Sequence, residues 1–159
     1  MYVLDQIIDY LNMFLPNRTY KRIILTSIIL ISLSGKSQSI IGKWKTLHES
    51  TGKPVSIVQL YEQNGKIFGK IIEILEKEHE KDLCIKCKGE EKNKPVLGLT
   101  IIKNMEKAGK FYKKGTIFHP VLGKTFRCRI KLLDNNPDRI QVRGYFLFLF
   151  GTQYWERVL

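Results

Sequence analysis

The first side chains with chemistry to offer are Cys84 and Cys87, with two residues between them in a Lys-rich stretch. That spacing lets two thiols share a metal ion, cycle as a redox pair or close a small disulfide ring. A zinc site needs further ligands. With no second Cys pair, only His79 and the acids Glu78, Glu80, Asp82 and Glu90 stand near, at improvised spacing. A thioredoxin-type pair needs a helix N-terminus to lower a thiol pKa, and the flanking Lys-rich loop offers none. In an oxidising compartment the simplest outcome is a local disulfide stapling the tip of a long loop. So small a ring removes little loop entropy and stabilises little. No metal ion is expected.

Three other groups of residues could meet a ligand. Along Thr125–Leu133, Phe126, Cys128, Ile130 and Leu132 alternate with Arg127, Arg129 and Lys131. A period of two makes this a strand with an inert core thiol at Cys128 and a cationic outer face. The run Arg139–Phe146 repeats the pattern, with Ile140 and Val142 inward and Arg139, Gln141 and Arg143 outward. If the turn Asp134–Asp138 joins the two, a plausible register sets Arg129 opposite Arg143 and Lys131 opposite Gln141. Like charges facing across a strand pair are destabilising unless they reach solvent or an anion. The second group is Phe146-Leu147-Phe148-Leu149-Phe150-Gly151, whose five consecutive large apolar residues cannot all point inward. With Tyr145 and Tyr154 it is the candidate for a ligand portal or a membrane-touching edge. The third is the loop Gly115–Lys124, which carries His119 and Lys124. An accessible His could be a base or a ligand, though a lone His before Pro is more often a turn residue. No Ser-His-Asp order, paired carboxylates, HExxH or phosphate-cradling Gly loop occurs. Neither a catalytic residue nor a cofactor is expected.

The elements that must position these groups are strands. From Ile40 onward the β-rich runs are Gly42–Thr46, Ser56–Glu62, Ile67–Leu75, Leu97–Lys103, Lys110–Tyr112, Thr116–Phe118, Thr125–Leu133, Arg139–Phe146 and Gln153–Val158. Turn signals separate them, the clearest being Asn64-Gly65, where a type I′ hairpin needs two positive φ angles. Only Lys77–Asp82 and Asn104–Lys107 tolerate a helix. Eight or nine short strands with hairpin-length connections predict an all-β fold, a single antiparallel up-and-down barrel. Closure removes the exposed edges of an open sheet, and a two-sheet sandwich is the alternative.

Residues 1–39 are a different material. Lys21-Arg22 precede the apolar run Ile23–Leu33, 11 residues long, whereas a bilayer span needs about 20. A basic front, a short apolar run and small residues at Ser37 and Ser39 are the layout of a signal peptide cleaved before Ile40. A retained anchor is the alternative, and Met13 would begin a leader of ordinary length. The expected organisation is therefore a leader over 1–39 and a barrel domain over 40–159, periplasmic or secreted.

The whole chain has 159 residues, 43% of them hydrophobic, and a formal charge of +12. That apolar content excludes a disordered chain, and the length excludes several large domains. Removing residues 1–39 takes away Arg18, Lys21, Arg22 and Lys36 together with Asp5 and Asp9, so the domain itself carries +10. Such basicity suggests nucleic acid, an anionic membrane or an acidic ligand. Export, and a basic stripe without interleaved aromatic stacking platforms, argue against nucleic acid.

Several motifs occur together and in order: Gly42-Lys43-Trp44, Thr51-Gly52-Lys53-Pro54, Asn64-Gly65-Lys66-Ile67-Phe68-Gly69, Cys84-Ile85-Lys86-Cys87, Gly115-Thr116-Ile117-Phe118-His119-Pro120, Val142-Arg143-Gly144-Tyr145 and Gln153-Tyr154-Trp155-Glu156-Arg157. Over residues 41–158 the chain resembles the bacterial DUF2147 family, which implies an exported small β-barrel and no particular activity. His119-Pro120 stands where the family usually has Asp-Pro, and Phe126 where it has Tyr, so a role for that acid does not carry over. Gly42-Lys43-Trp44 in the first strand and Arg157 in the last are also similar to lipocalin-like barrels, in which the Arg stacks across the Trp at the closed end. The alternative is that both Trp simply fill the core.

The expected function is binding. Phe146, Phe148 and Phe150 would line or gate a site for an apolar or amphiphilic molecule or an envelope component. Arg127, Arg129 and Arg143 would attract an acidic head group. A protein–protein interaction module of the envelope, with the Phe-rich segment as its hot spot, is the second reading. An enzyme or redox protein at Cys84 and Cys87 is the third.

Overall fold

Alternation along β-branched runs leaves one face of each strand apolar, and eight such strands bury those faces by closing on one another. They are β1 (Gly42–Leu47), β2 (Pro54–Gln63), β3 (Lys66–Ile74), β4 (Thr100–Ala108), β5 (Phe111–His119), β6 (Lys124–Leu133), β7 (Asn136–Phe146) and β8 (Leu149–Arg157). Each pairs antiparallel with the next and β8 returns to β1, giving a closed barrel. The computed structural model describes Gln6, residues 39–48 and residues 50–158. The expected leader, up to residue 38, lies outside the described residues apart from Gln6. Among the described residues no helix is long and apolar enough to cross a membrane.

Asn64 and Gly65 form the β2–β3 hairpin with φ of 52° and 73°, the geometry that Asn-Gly favours. Elsewhere the nine runs become eight strands, because Lys110–Tyr112 and Thr116–Phe118 are one strand. Lys114 sits between them at φ 62°, and Asn104 at φ 58° lies in the paired β4. These kinks shift side-chain parity, so Ile102 and Met105, three apart, are both fully buried. Asn104–Lys107, read as helix-tolerant, is therefore strand. Gly115 sits at the kink because a Cβ there would strike the Lys103 carbonyl and Met105. The last run also starts earlier than expected: β8 begins at Leu149, and Leu147-Phe148 form the turn from β7.

The barrel interior is filled by its own side chains. Trp44, Val58, Leu60, Ile102, Met105, Ile130, Ile140 and Trp155 are almost wholly buried in one cluster with Cys128, Val142 and Tyr112. Trp44 Nε1 donates to the Ile40 carbonyl at 2.7 Å, satisfying the one polar atom that ring brings inside. Ile101 is buried on the opposite face from Ile102. The segment 75–99 lies outside the barrel there, held by Glu91 on Lys103 (2.9 Å) and by Lys86 against Gly123.

The seam between β1 and β8 is short. Its paired residues are Trp44 with Arg157 and Lys45 with Glu156, extended by the Val158 N–H donating to Lys43 O at 3.0 Å. Among the described residues, Leu149–Trp155 pair with β7 alone. Arg157 closes the seam. Its guanidinium lies 4.3 Å over the Trp44 ring, donates to Ser39 O at 2.9 Å and to Ile41 O at 3.3 Å, and meets Asp138 at 3.3 Å.

Candidate functional site

The outward faces of β5 to β8 carry most of the expected site residues. The turn Asp134-Asn135 sets Arg129 opposite Arg143 and Lys131 opposite Gln141. Two guanidiniums facing each other must be separated or neutralised, and here each turns onto a neighbouring ring. Arg143 lies 4.5 Å over Phe150 while its Nε–H donates to Thr152 Oγ1 at 2.7 Å. Arg129 lies between Phe111 and Tyr145, at 5.1 and 5.8 Å. Arg139 stacks 5.2 Å over Tyr154, with its Nε 4.0 Å from Glu156, too far for a hydrogen bond. The basic stripe is thus interleaved with aromatic rings, a correction to the expectation that it is not. Rings from β5 and β8 enter the stripe through the strand pairing of β5 with β6 and of β8 with β7.

The Nε atoms of Arg129 and Arg139 are buried and, among the described residues, have no hydrogen-bond partner. A cationic donor left unpaired out of water carries a desolvation cost, which an anion held at the same guanidinium would lower. Arg127, opposite Tyr145 on the same face, is exposed.

The three Phe expected to line or gate a site take different positions on the β7–β8 hairpin. Phe148 stands at the tip of the β7–β8 hairpin, and Phe150 lies outside under Arg143. Phe146 points to the barrel mouth, where its ring meets Phe126 edge-on at 6.0 Å and Lys124 Nζ at 5.8 Å. A strand of five apolar residues would have buried some of them, but at the tip of a hairpin turning at Leu147-Phe148 all five are exposed. His119 ends β5, paired with Lys124, and its ring is exposed.

Cys84 and Cys87 are disulfide-bonded and buried. The Cys84 N–H donates to Lys94 O at 2.8 Å, and its sulfur lies 3.9 Å from the Pro120 carbonyl, so the ring fastens the 75–99 segment onto the β5–β6 turn. His79 pairs with Asp82 at 2.9 Å. Among the described residues no three His, Cys, Asp or Glu side chains gather as a metal site. Burial pushes the Cys128 thiol up to about 12, which leaves it protonated and unreactive.

One feature escapes sequence reasoning. A polar cleft of about 210 Å³ lies beside the docked segment, lined by Lys88, Glu91, Lys103, Thr116, Phe118, Gly123 and Thr125. Its residues come from four separate stretches, and nothing in their local spacing links them.

A family model described as an uncharacterized protein conserved in bacteria (DUF2147) matches residues 42–157. The chain belongs to the DUF2147 family. A solved structure with a similar fold is that of a protein from the human pathogen Helicobacter pylori that belongs to the lipocalin family. It aligns with a TM-score of 0.66 at 19% identity, over 76% of this chain and 84% of that one. At that identity the likeness concerns the fold. No curated protein matches the chain significantly.

Proposed function

We propose that this DUF2147 domain is an exported, non-catalytic binding protein for an amphiphile with an acidic head group. The ligand sits outside the barrel, along the arginine–aromatic strip and the β7–β8 hairpin. The observation that carries the reading is the position of Arg143, 4.5 Å over Phe150 and anchored through Nε to Thr152. Four further N–H donors remain on its terminal nitrogens for a phosphate or carboxylate, directly beside an exposed apolar run. Export is supported by the basic-then-apolar leader and by the Cys84–Cys87 disulfide.

The test is calorimetric titration with dihexanoyl phosphatidic acid below its micellar concentration, against dihexanoyl phosphatidylcholine. The acidic lipid should bind more tightly, and Arg143→Gln should weaken it about tenfold, the worth of a charge-assisted hydrogen bond. Equal binding of both lipids, or an unaffected variant, rejects the reading. A second reading, an envelope protein–protein module, is favoured by the edge of β8 over Leu149–Trp155, which pairs with β7 alone among the described residues. In that case Phe148→Ser abolishes partner pull-down and leaves lipid titration unchanged.

A further inference from the structure

In an up-and-down barrel every second connection lies at the same end. Segments distant in the sequence therefore meet there: 75–99, the β5–β6 turn and the β7–β8 tip. Contacts tie them together. Lys86 packs on Gly123, the Cys84 sulfur on Pro120, and Lys124 Nζ lies 5.8 Å from the Phe146 ring. Each contributes large apolar side chains to solvent: Ile85 and Val121 at 72% exposure, Leu147 at 76% and Phe148 at 87%. Monomeric surfaces rarely gather apolar residues on this scale without a use.

Charge is arranged around the same end. From His119 to Leu133 and from Arg139 to Trp155 the chain has no acid, while Lys124, Arg127, Arg129 and Arg143 lie in those stretches. The 75–99 segment is formally neutral, its six acids matched by six lysines. Asp134 and Asp138 belong to the opposite end, in and beside the β6–β7 turn. A cationic collar behind a protruding apolar tip is complementary to lipid head groups above acyl chains. The barrel wall is not, because β6 and β7 point arginines and lysines outward where lipid would lie.

We infer that this end of the barrel docks on an anionic bilayer, with Leu147-Phe148 entering the interface and Lys124, Arg127 and Arg143 among the head groups. The inference rests on the proposed reading and deepens it: the acidic amphiphile is met in a membrane, and the barrel stands on it end-on.

The experiment is co-sedimentation of the full chain with phosphatidylcholine vesicles, and with vesicles in which one lipid in three is phosphatidylglycerol. The leader is common to all variants, so differences between them report on the barrel end. Anionic vesicles should bind at least tenfold more tightly, and added salt should erase the preference. K124Q and R127Q should each cost about fivefold. Phe148→Ser should cost about tenfold or more, the worth of a buried aromatic side chain. In Phe148→Trp, fluorescence of the introduced indole should be quenched by lipids brominated on their acyl chains, since Trp44 and Trp155 are both buried. No quenching in the Phe148→Trp variant, or Phe148→Ser binding like the wild type, overturns the inference. If dihexanoyl phosphatidic acid still binds through Arg143, only the bilayer inference falls; if neither probe binds, both fall. Loss of self-association or of protein capture in Phe148→Ser, with vesicle binding unchanged, also overturns it.

Discussion

Replacing Arg157 by Ala should unfasten the barrel where it closes. Among the described residues two residue pairs and one additional backbone bond join β1 to β8, so the side chain that spans them carries an unusual share of the seam. Its guanidinium lies 4.3 Å over Trp44 and is largely sheltered, an arrangement worth about 1 kcal/mol. The bonds to Ser39 O (2.9 Å) and Ile41 O (3.3 Å) come from a charged donor, and losing them costs about 1.5–2 kcal/mol together. The contact with Asp138 adds at most about 0.5 kcal/mol, since that carboxylate is mostly exposed. The expected loss is about 3 kcal/mol, a large part of the stability of a domain this size. It would be read from guanidinium unfolding followed by Trp fluorescence, with the slope m unchanged. Arg157→Lys should recover only about 1 kcal/mol, because an ammonium can sit over the ring but cannot fork to two carbonyls. A loss below about 1 kcal/mol for Ala, or full recovery with Lys, would refute the view that this fork and stack hold the seam.

Two further outcomes follow. The Cys128 thiol, pushed up to about 12 by burial, should resist alkylation in the native state and react only on unfolding. An unfolded thiol ionises at about pH 8.5, so the folded state is the one that keeps the proton. Its contribution is therefore whole below that pH and falls by about 1.4 kcal/mol per pH unit as pH rises towards the folded value, a slope that Cys128→Ala should remove. Replacing both Cys84 and Cys87 by Ala should change global stability by at most about 2 kcal/mol, yet open the 75–99 segment to trypsin at Lys86 and Lys88. Unchanged cleavage kinetics would mean that Lys103–Glu91 and the backbone bonds hold the segment without the disulfide.

Much of the fold was legible because strand patterning is local. The alternation in β6 and β7, the register of Arg129 on Arg143, and the Asn64-Gly65 hairpin all depend on residues close in sequence. The break at Asn104 and Lys114 was not legible. A residue in the left-handed region flips side-chain parity, and only the partner strand reveals that it does so without ending the strand. Phe146–Phe150 was legible as an anomaly but not as a turn: Leu147 at φ 54° is a residue no turn rule selects.

The candidate site divides in the same way. Arg127, Arg129 and Arg143 announce a cationic face through their period of two, and Cys84 and Cys87 a possible ring through their spacing. The sequence by itself thus determined the strand content, the inward and outward sets, and the basic and apolar stretches. The paired tertiary structure decided which of those stretches are neighbours. It laid Phe111, Tyr145, Phe150 and Tyr154 among the arginines, filled the interior with Trp44 and Trp155, and brought Ile85, Val121 and Phe148 to one end. The reason is geometric. Periodicity sets the face each residue takes on its own strand, whereas the company it keeps across strands depends on register and on which ends of the strands meet.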